Sequence, residues 1–175
     1  LGLYRYNFCC IENFNGYDLT AMDRKKAENY NNYRLPYSSD AINILLKQIF
    51  PPTDGKPGGA GKVIADVGAG TGLLSRKFFG KSEKLLVIEP DKYMREVLVR
   101  ELQYMEFKLE PKDINAGLTK PGWPAVMSVI KATAENTGID ANSVDLVVSG
   151  NAYHRFDPDL SLREFVRILK PDGLL

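Results

Sequence analysis

With 175 residues, 44% of them hydrophobic, the chain can bury one core and is most simply a single globular unit. Its 23 basic and 22 acidic residues leave a net charge of +1, so no overall field draws it to nucleic acid or an anionic membrane surface. No apolar run approaches the roughly 20 residues that span a bilayer, the N-terminus lacks a signal-peptide apolar region, and the only cysteines, Cys9 and Cys10, are adjacent and unsuited to a relaxed disulfide. A soluble, cytoplasmic protein is the expectation.

Residues 1–19 carry aromatics and asparagines without steady periodicity and read as an irregular arm. Thr20 is positioned to cap a helix running to about Tyr30, and Pro36 then disfavours helical geometry at Leu35. Ser38 or Ser39 caps a second predicted helix, whose apolar set Ile42, Leu45, Leu46 and Ile49 follows helical spacing. Residues 51–61, rich in proline, glycine and lysine, form a linker. Residues 1–60 are thus expected to be an N-terminal arm with helices, and residues 61–175 the core.

The core begins with Val63-Ile64-Ala65-Asp66-Val67, a nearly continuous apolar run of the kind that forms a buried parallel strand. Gly68, Gly70 and Gly72 then allow a sharp turn and close approach of a ligand to the backbone. A helix is predicted to follow, from near Thr71 through Leu73 to Phe79, with its free N–H groups facing the turn. The spacing departs from a dinucleotide fingerprint, since Leu73 stands where a third glycine belongs. A tight turn that binds nothing is the alternative for this loop taken alone.

Residues 84–89 form a second predicted strand that ends in a carboxylate. Glu89 lies 21 positions after Gly68, the spacing at which a βαβ unit places an acidic side chain where it can accept from both ribose hydroxyls. A helix is expected from Asp91 to about Tyr104, with Met94, Val97, Leu98 and Leu102 along one face. Met94 suits core packing or contact with an adenine ring. Phe107 to Ala125 reads as a long loop. Strands are expected over 126–131 and 143–149, a helix over Leu160 to Leu169, and the Lys170-Pro171-Asp172-Gly173 turn leads to a fifth strand that has hardly begun. This alternation predicts an α/β fold, a Rossmann-like, doubly wound, mostly parallel sheet with helices on both faces and its C-terminal strands missing. Ligands in such sheets bind at the C-terminal strand ends.

Four segments resemble the class I S-adenosylmethionine-dependent methyltransferases, in the type 11, small-molecule group. They are Asp66-Val67-Gly68-Ala69-Gly70-Thr71-Gly72; Val87-Ile88-Glu89-Pro90-Asp91; Ala132 to Gly138 with Ser143-Val144-Asp145-Leu146-Val147; and Ala152 to Asp157 with Arg167 to Gly173. A fifth, Ala27 to Tyr37, is similar to the Tyr-Arg-x-Pro-Tyr segment that many members carry ahead of the first core helix. The resemblance implies S-adenosyl-L-methionine as cofactor, no metal, and a small-molecule methyl acceptor.

Carried over residue by residue, it implies that Gly68, Ala69 and Gly70 pass beside the methionine part and that Asp66 orients the turn or the cofactor ammonium. Glu89 would hold the ribose hydroxyls, with Pro90, Asp91 and Met94 flanking the adenosine. Thr133, Ala134 and Glu135 would border the adenine, Thr133 standing where members often have Asp. Asn151 would border the sulfonium side, and Arg34 would reach the cofactor carboxylate. His154 is the sole histidine and is the candidate general base. His154-Arg155-Phe156 replaces the His-Trp-Phe frequent in the family. The alternatives are an inactive or partner-completed methyltransferase-like fragment and, further off, a nicotinamide-dependent oxidoreductase. The sequence specifies neither the acceptor nor a choice between monomer and homodimer.

Overall fold

The computed structural model describes residues 22–51, 61–79, 81–104 and 126–175. The arm over 1–19, the cap at Thr20, most of the 51–61 linker and the loop over 107–125 lie outside the described residues.

The first helix, α1, runs Arg24–Tyr33, and Asp23 caps it by accepting from the Lys26 N–H at 2.8 Å. It continues past Tyr30 because the steric effect of Pro36 reaches only Leu35. Ser38 caps α2, Ser39–Ile49, by accepting from the Ala41 N–H. Of its predicted stripe, Ile42 and Leu46 are buried, whereas Leu45 is 39% exposed and turns out of the core.

Five strands follow, β1 (Val63–Val67), β2 (Lys84–Ile88), β3 (Val126–Ile130), β4 (Val144–Val148) and β5 (Leu169–Leu174), with α3 (Lys92–Tyr104) between β2 and β3 and α4 (Pro158–Ile168) between β4 and β5. They form one sheet in the order β3-β2-β1-β4-β5, and every pairing is parallel. The expected α/β architecture is therefore present, with β1 at the centre, where the strand order reverses.

Alternation along the strands divides the core. Ile64, Leu85, Val87 and Leu146 pack with Ile42 and Leu46 of α2, Phe78, and Leu98 and Leu102 of α3. Ala65, Val67, Leu86, Ile88 and Val147 face the other way, onto Phe165 and Ile168 of α4. The sheet is thus covered on both faces, and α1 lies on α3 through Ala27, Met94 and Val97.

Two elements differ from expectation. The helix predicted from Leu73 to Phe79 is a turn followed by a short 3₁₀ segment, Ser75–Phe78. Gly72 takes φ +78°, outside helical geometry, and Phe79 leaves with ψ 130°, so too few residues remain between them for a regular α-helix. The fifth strand is longer than expected. Leu169 pairs with Val144 and Leu174 with Leu146, and the register shift between these pairs absorbs Pro171-Asp172-Gly173 as an irregularity in an edge strand, where a proline lacking a donor is tolerated.

Candidate active site

The site is built on the end of β1. Gly68 and Ala69 both donate their N–H groups to the Ile88 carbonyl, at 2.9 and 3.0 Å, so the turn leaving β1 is tied to the end of β2. Gly68 has φ +72°, and a Cβ there would lie 2.6 Å from the Ala152 Cβ and 2.8 Å from Phe156 Cζ. Only glycine meets both demands. Gly72 is equally confined by Leu98.

Glu89 follows β2 and is 7% exposed. Its Oε2 accepts from the Gly70 N–H and its Oε1 from the Asp91 N–H, each at 2.8 Å. Arg95 donates to the Glu89 carbonyl at 2.7 Å, and the Glu89 N–H donates to the Ile130 carbonyl, so backbone and side chain are both fixed. Burial raises the Glu89 carboxyl above its ordinary value, against the opposing effect of the Asp91 and Gly70 N–H groups. Asp91 caps α3 by accepting from the Met94 N–H at 2.9 Å, which sets Met94 beside this strand end.

Asp66 is placed differently. It is fully buried, and its Oδ2 accepts from the Ser75 hydroxyl at 2.5 Å. Its Oδ1 and the Thr71 hydroxyl find no hydrogen-bond partner among the described residues. Burial pushes the Asp66 carboxyl up to about 7; the Ser75 hydrogen bond opposes this and the Glu89 charge adds to it.

The raised carboxyl makes its full contribution to stability below its unfolded value of 3.8 and loses it as pH rises through about 7. Asp66→Asn is therefore expected to flatten the decline in stability between about pH 4 and pH 7 in urea unfolding. Equal pH slopes for the variant and the parent would count against this.

A cavity of about 410 Å³ opens at the C-terminal strand ends, within the roughly 300–1,000 Å³ range of small-molecule sites. The turn contributes Gly68 and Gly70, the end of β2 contributes Glu89 and Pro90, and the first turn of α3 contributes Met94. The loop after β3 contributes Thr133, Ala134 and Glu135, and the loop after β4 contributes Asn151 and His154. Arg34 closes one side, its guanidinium 5.7 Å from the centre of the Tyr30 ring. Asp66 and Ala69 do not line the cavity; the first lies beneath the turn against Ser75, and the second packs toward the core.

Sequence reasoning passed over Tyr30 and Gly150 as lining residues, and Ser75 and Tyr37 as supports. Tyr37 accepts from Asn151 Nδ2 at 3.3 Å, and its ring blocks any side chain at Gly150. Asn151 holds φ +55°, a conformation that asparagine tolerates better than most residues. A left-handed residue three positions past a strand end has no pattern in sequence. Among the described residues, no group of His, Cys, Asp or Glu is arranged to hold a metal ion, and no helix is long and apolar enough to cross a membrane.

A parallel sheet that reverses at β1, with an acid-bearing cleft beside the reversal, defines a Rossmann-like α/β fold. The chain belongs to the methyltransferase domain family, whose model matches residues 65–175. An uncharacterized methyltransferase of Mycobacterium bovis and one of Mycobacterium tuberculosis are each 29% identical over 146 residues, covering 83% of this chain. The chain spans 46% of the length of those relatives. Among solved structures, it is similar to a SAM dependent methyltransferase from Aquifex aeolicus, with a TM-score of 0.58 and 19% identity over 86% of this chain and 69% of that one. It is also similar to Haemonchus contortus phosphoethanolamine N-methyltransferase 2 in complex with S-adenosyl-L-methionine, with a TM-score of 0.59 and 21% identity over 90% of this chain and 33% of that one. At these identities the likeness to solved structures concerns the fold.

Proposed function

We propose that the protein is an S-adenosylmethionine-dependent methyltransferase that transfers a methyl group to a small-molecule acceptor. The observation that carries this reading is Glu89, buried at the end of β2 and facing the cavity, with each carboxylate oxygen already receiving one backbone N–H. A carboxylate has roughly four acceptor positions, so both oxygens keep capacity for the paired hydroxyls of a ribose. A phosphate at the same place would meet like charge.

Around that anchor the remaining residues fit a nucleoside joined to an amino acid. Pro90 and Met94 offer apolar contact on one side of an adenine, and Thr133, Ala134 and Glu135 border its other edges. Gly68 and Gly70 leave room for the methionine chain, and Ala69 extends the same turn. Asp66 braces this turn from below through Ser75. Arg34 would meet the cofactor carboxylate, and Asn151 would stand beside the sulfonium.

S-adenosylmethionine supplies an electrophilic methyl on a good leaving group. What the protein must add is alignment of acceptor, methyl and sulfur with water excluded, an effect worth roughly 7–11 kcal/mol when the geometry is right. His154, exposed on the lip after β4, would take a proton from an acceptor that has to lose one.

Calorimetric titration with S-adenosylhomocysteine and with NAD tests the reading. Saturable binding of S-adenosylhomocysteine is expected, with NAD bound far more weakly; a preference for NAD would replace this function with nicotinamide chemistry.

A further inference from the structure

The loop between β3 and β4 forms the Thr133–Glu135 wall of the cavity with no helix or strand of its own, only an isolated bridge between Thr133 and Asn136. Such a segment needs outside support to hold one shape against its conformational entropy. The support comes from α4. Glu164, 8% exposed, points from the buried side of that helix, and its Oε1 accepts from the Thr137 N–H at 2.8 Å and the Thr137 hydroxyl at 2.6 Å. Arg167, one helical turn on, grips the same carboxylate with Nε at 2.7 Å and Nη2 at 2.8 Å, and its Nη2 also donates to the Ile139 carbonyl at 2.7 Å.

We propose that Glu164 is a positioning residue that sets the nucleobase-side wall of the site through Thr137, with Arg167 locking its carboxylate. The proposal rests on the reading of the cavity as an adenosine site. Thr137 is fully buried and lies only two residues beyond Glu135, so a shift of the clasp passes directly to the residues that line the cavity. The tip of the loop is fastened to the start of the same helix, where the Asp157 N–H donates to Glu135 Oε1 at 3.0 Å. Root and tip thus hang on one rigid element, and the wall moves only if α4 moves or a clasp opens. The Arg167 guanidinium holds the Glu164 carboxyl down at about 2, with burial opposing and Thr137 adding to the effect, so the clasp stays ionised at any physiological pH.

Binding of S-adenosylhomocysteine and of free adenosine, measured by calorimetry well below each variant's melting temperature, tests the clasp. Glu164→Ala is expected to weaken both ligands by the same factor of about tenfold, equivalent to about 1.4 kcal/mol, because both rest their nucleobase on this wall. Thr137→Val should weaken both in the same direction by less, Thr137→Ser should bind as the parent does, and the Thr137→Val/Glu164→Ala double variant should be no worse than Glu164→Ala alone. A folded Glu164→Ala protein with unchanged affinity overturns the proposal, as does a loss confined to S-adenosylhomocysteine with adenosine unaffected. Should Glu164→Ala fail to fold, Thr137→Val decides, and unchanged affinity there overturns the clasp. A parent protein that binds neither ligand brings down the cofactor reading itself, and the clasp with it.

Discussion

Glu89→Ala is expected to weaken S-adenosylhomocysteine binding by at least about tenfold, or about 1.4 kcal/mol, while the far-UV circular dichroism of the fold is retained. The loss has two sources. A carboxylate facing the cavity disappears, and hydrogen bonds to a charged acceptor are worth roughly 1.5–3 kcal/mol each. The Gly70 and Asp91 N–H groups also lose the acceptor that fixes them, so the turn and the start of α3 lose their shared reference point. Glu89→Gln is a sharper version of the experiment. Its amide keeps the shape but presents an NH₂ group to one of the two backbone N–H donors, so affinity should fall there too. A titration in which Glu89→Ala binds as tightly as the parent removes Glu89 from the site.

Gly68→Ala should damage stability and binding together. The left-handed φ of +72° costs an alanine roughly 1–2 kcal/mol. The new methyl would also lie 2.6 Å from the Ala152 Cβ and 2.8 Å from Phe156 Cζ, and forcing neighbours of that kind apart costs roughly 1–3 kcal/mol more. A total of about 2–5 kcal/mol is expected in urea unfolding, with S-adenosylhomocysteine binding lost. Binding should suffer because Ala152 and Phe156, which must give way, are cavity-lining residues themselves. Wild-type stability and affinity in this variant would mean that the turn is far more yielding than its packing implies.

How much of this was legible from the chain depends on whether a residue's role is local. β1, β2 and β4 announce themselves as apolar runs because both faces of the sheet are covered, and Glu89 is placed by simple spacing from Gly68. The 3₁₀ segment after Gly72 looks like a full helix in sequence because Leu73, Leu74 and Phe78 have the apolar character of one; only the conformation of Gly72 and the exit at Phe79 rule it out. The sequence places the start of β5 too late because Pro171-Asp172-Gly173 carries turn chemistry, and its pairing with β4 overrides that local preference.

Asp66 shows the same limit within the site. The resemblance implies that Asp66 orients the turn or the cofactor ammonium, and which of the two depends on alternation along β1, which sends it to the face shared by Ile64, where Ser75 covers it. Glu164 was the most readable of the missed residues. It falls within the buried stripe Ser161, Phe165 and Ile168, and a charge inside an amphipathic helix's apolar face calls for a partner. Its partner, Thr137, lies 27 residues earlier in an irregular loop, and no periodicity connects the two.

The tie between the glycine turn and β2 has a consequence in time as well as in space. Gly68 and Ala69 share the Ile88 carbonyl as acceptor, and Gly70 ends on the Glu89 carboxylate, so three successive amides are held by one neighbouring strand end and none by the turn itself. Solvent reaches these amides only when β2 lets go. The glycine turn therefore shares its rate of opening with the centre of the sheet, and its proton exchange reports the cohesion of the core.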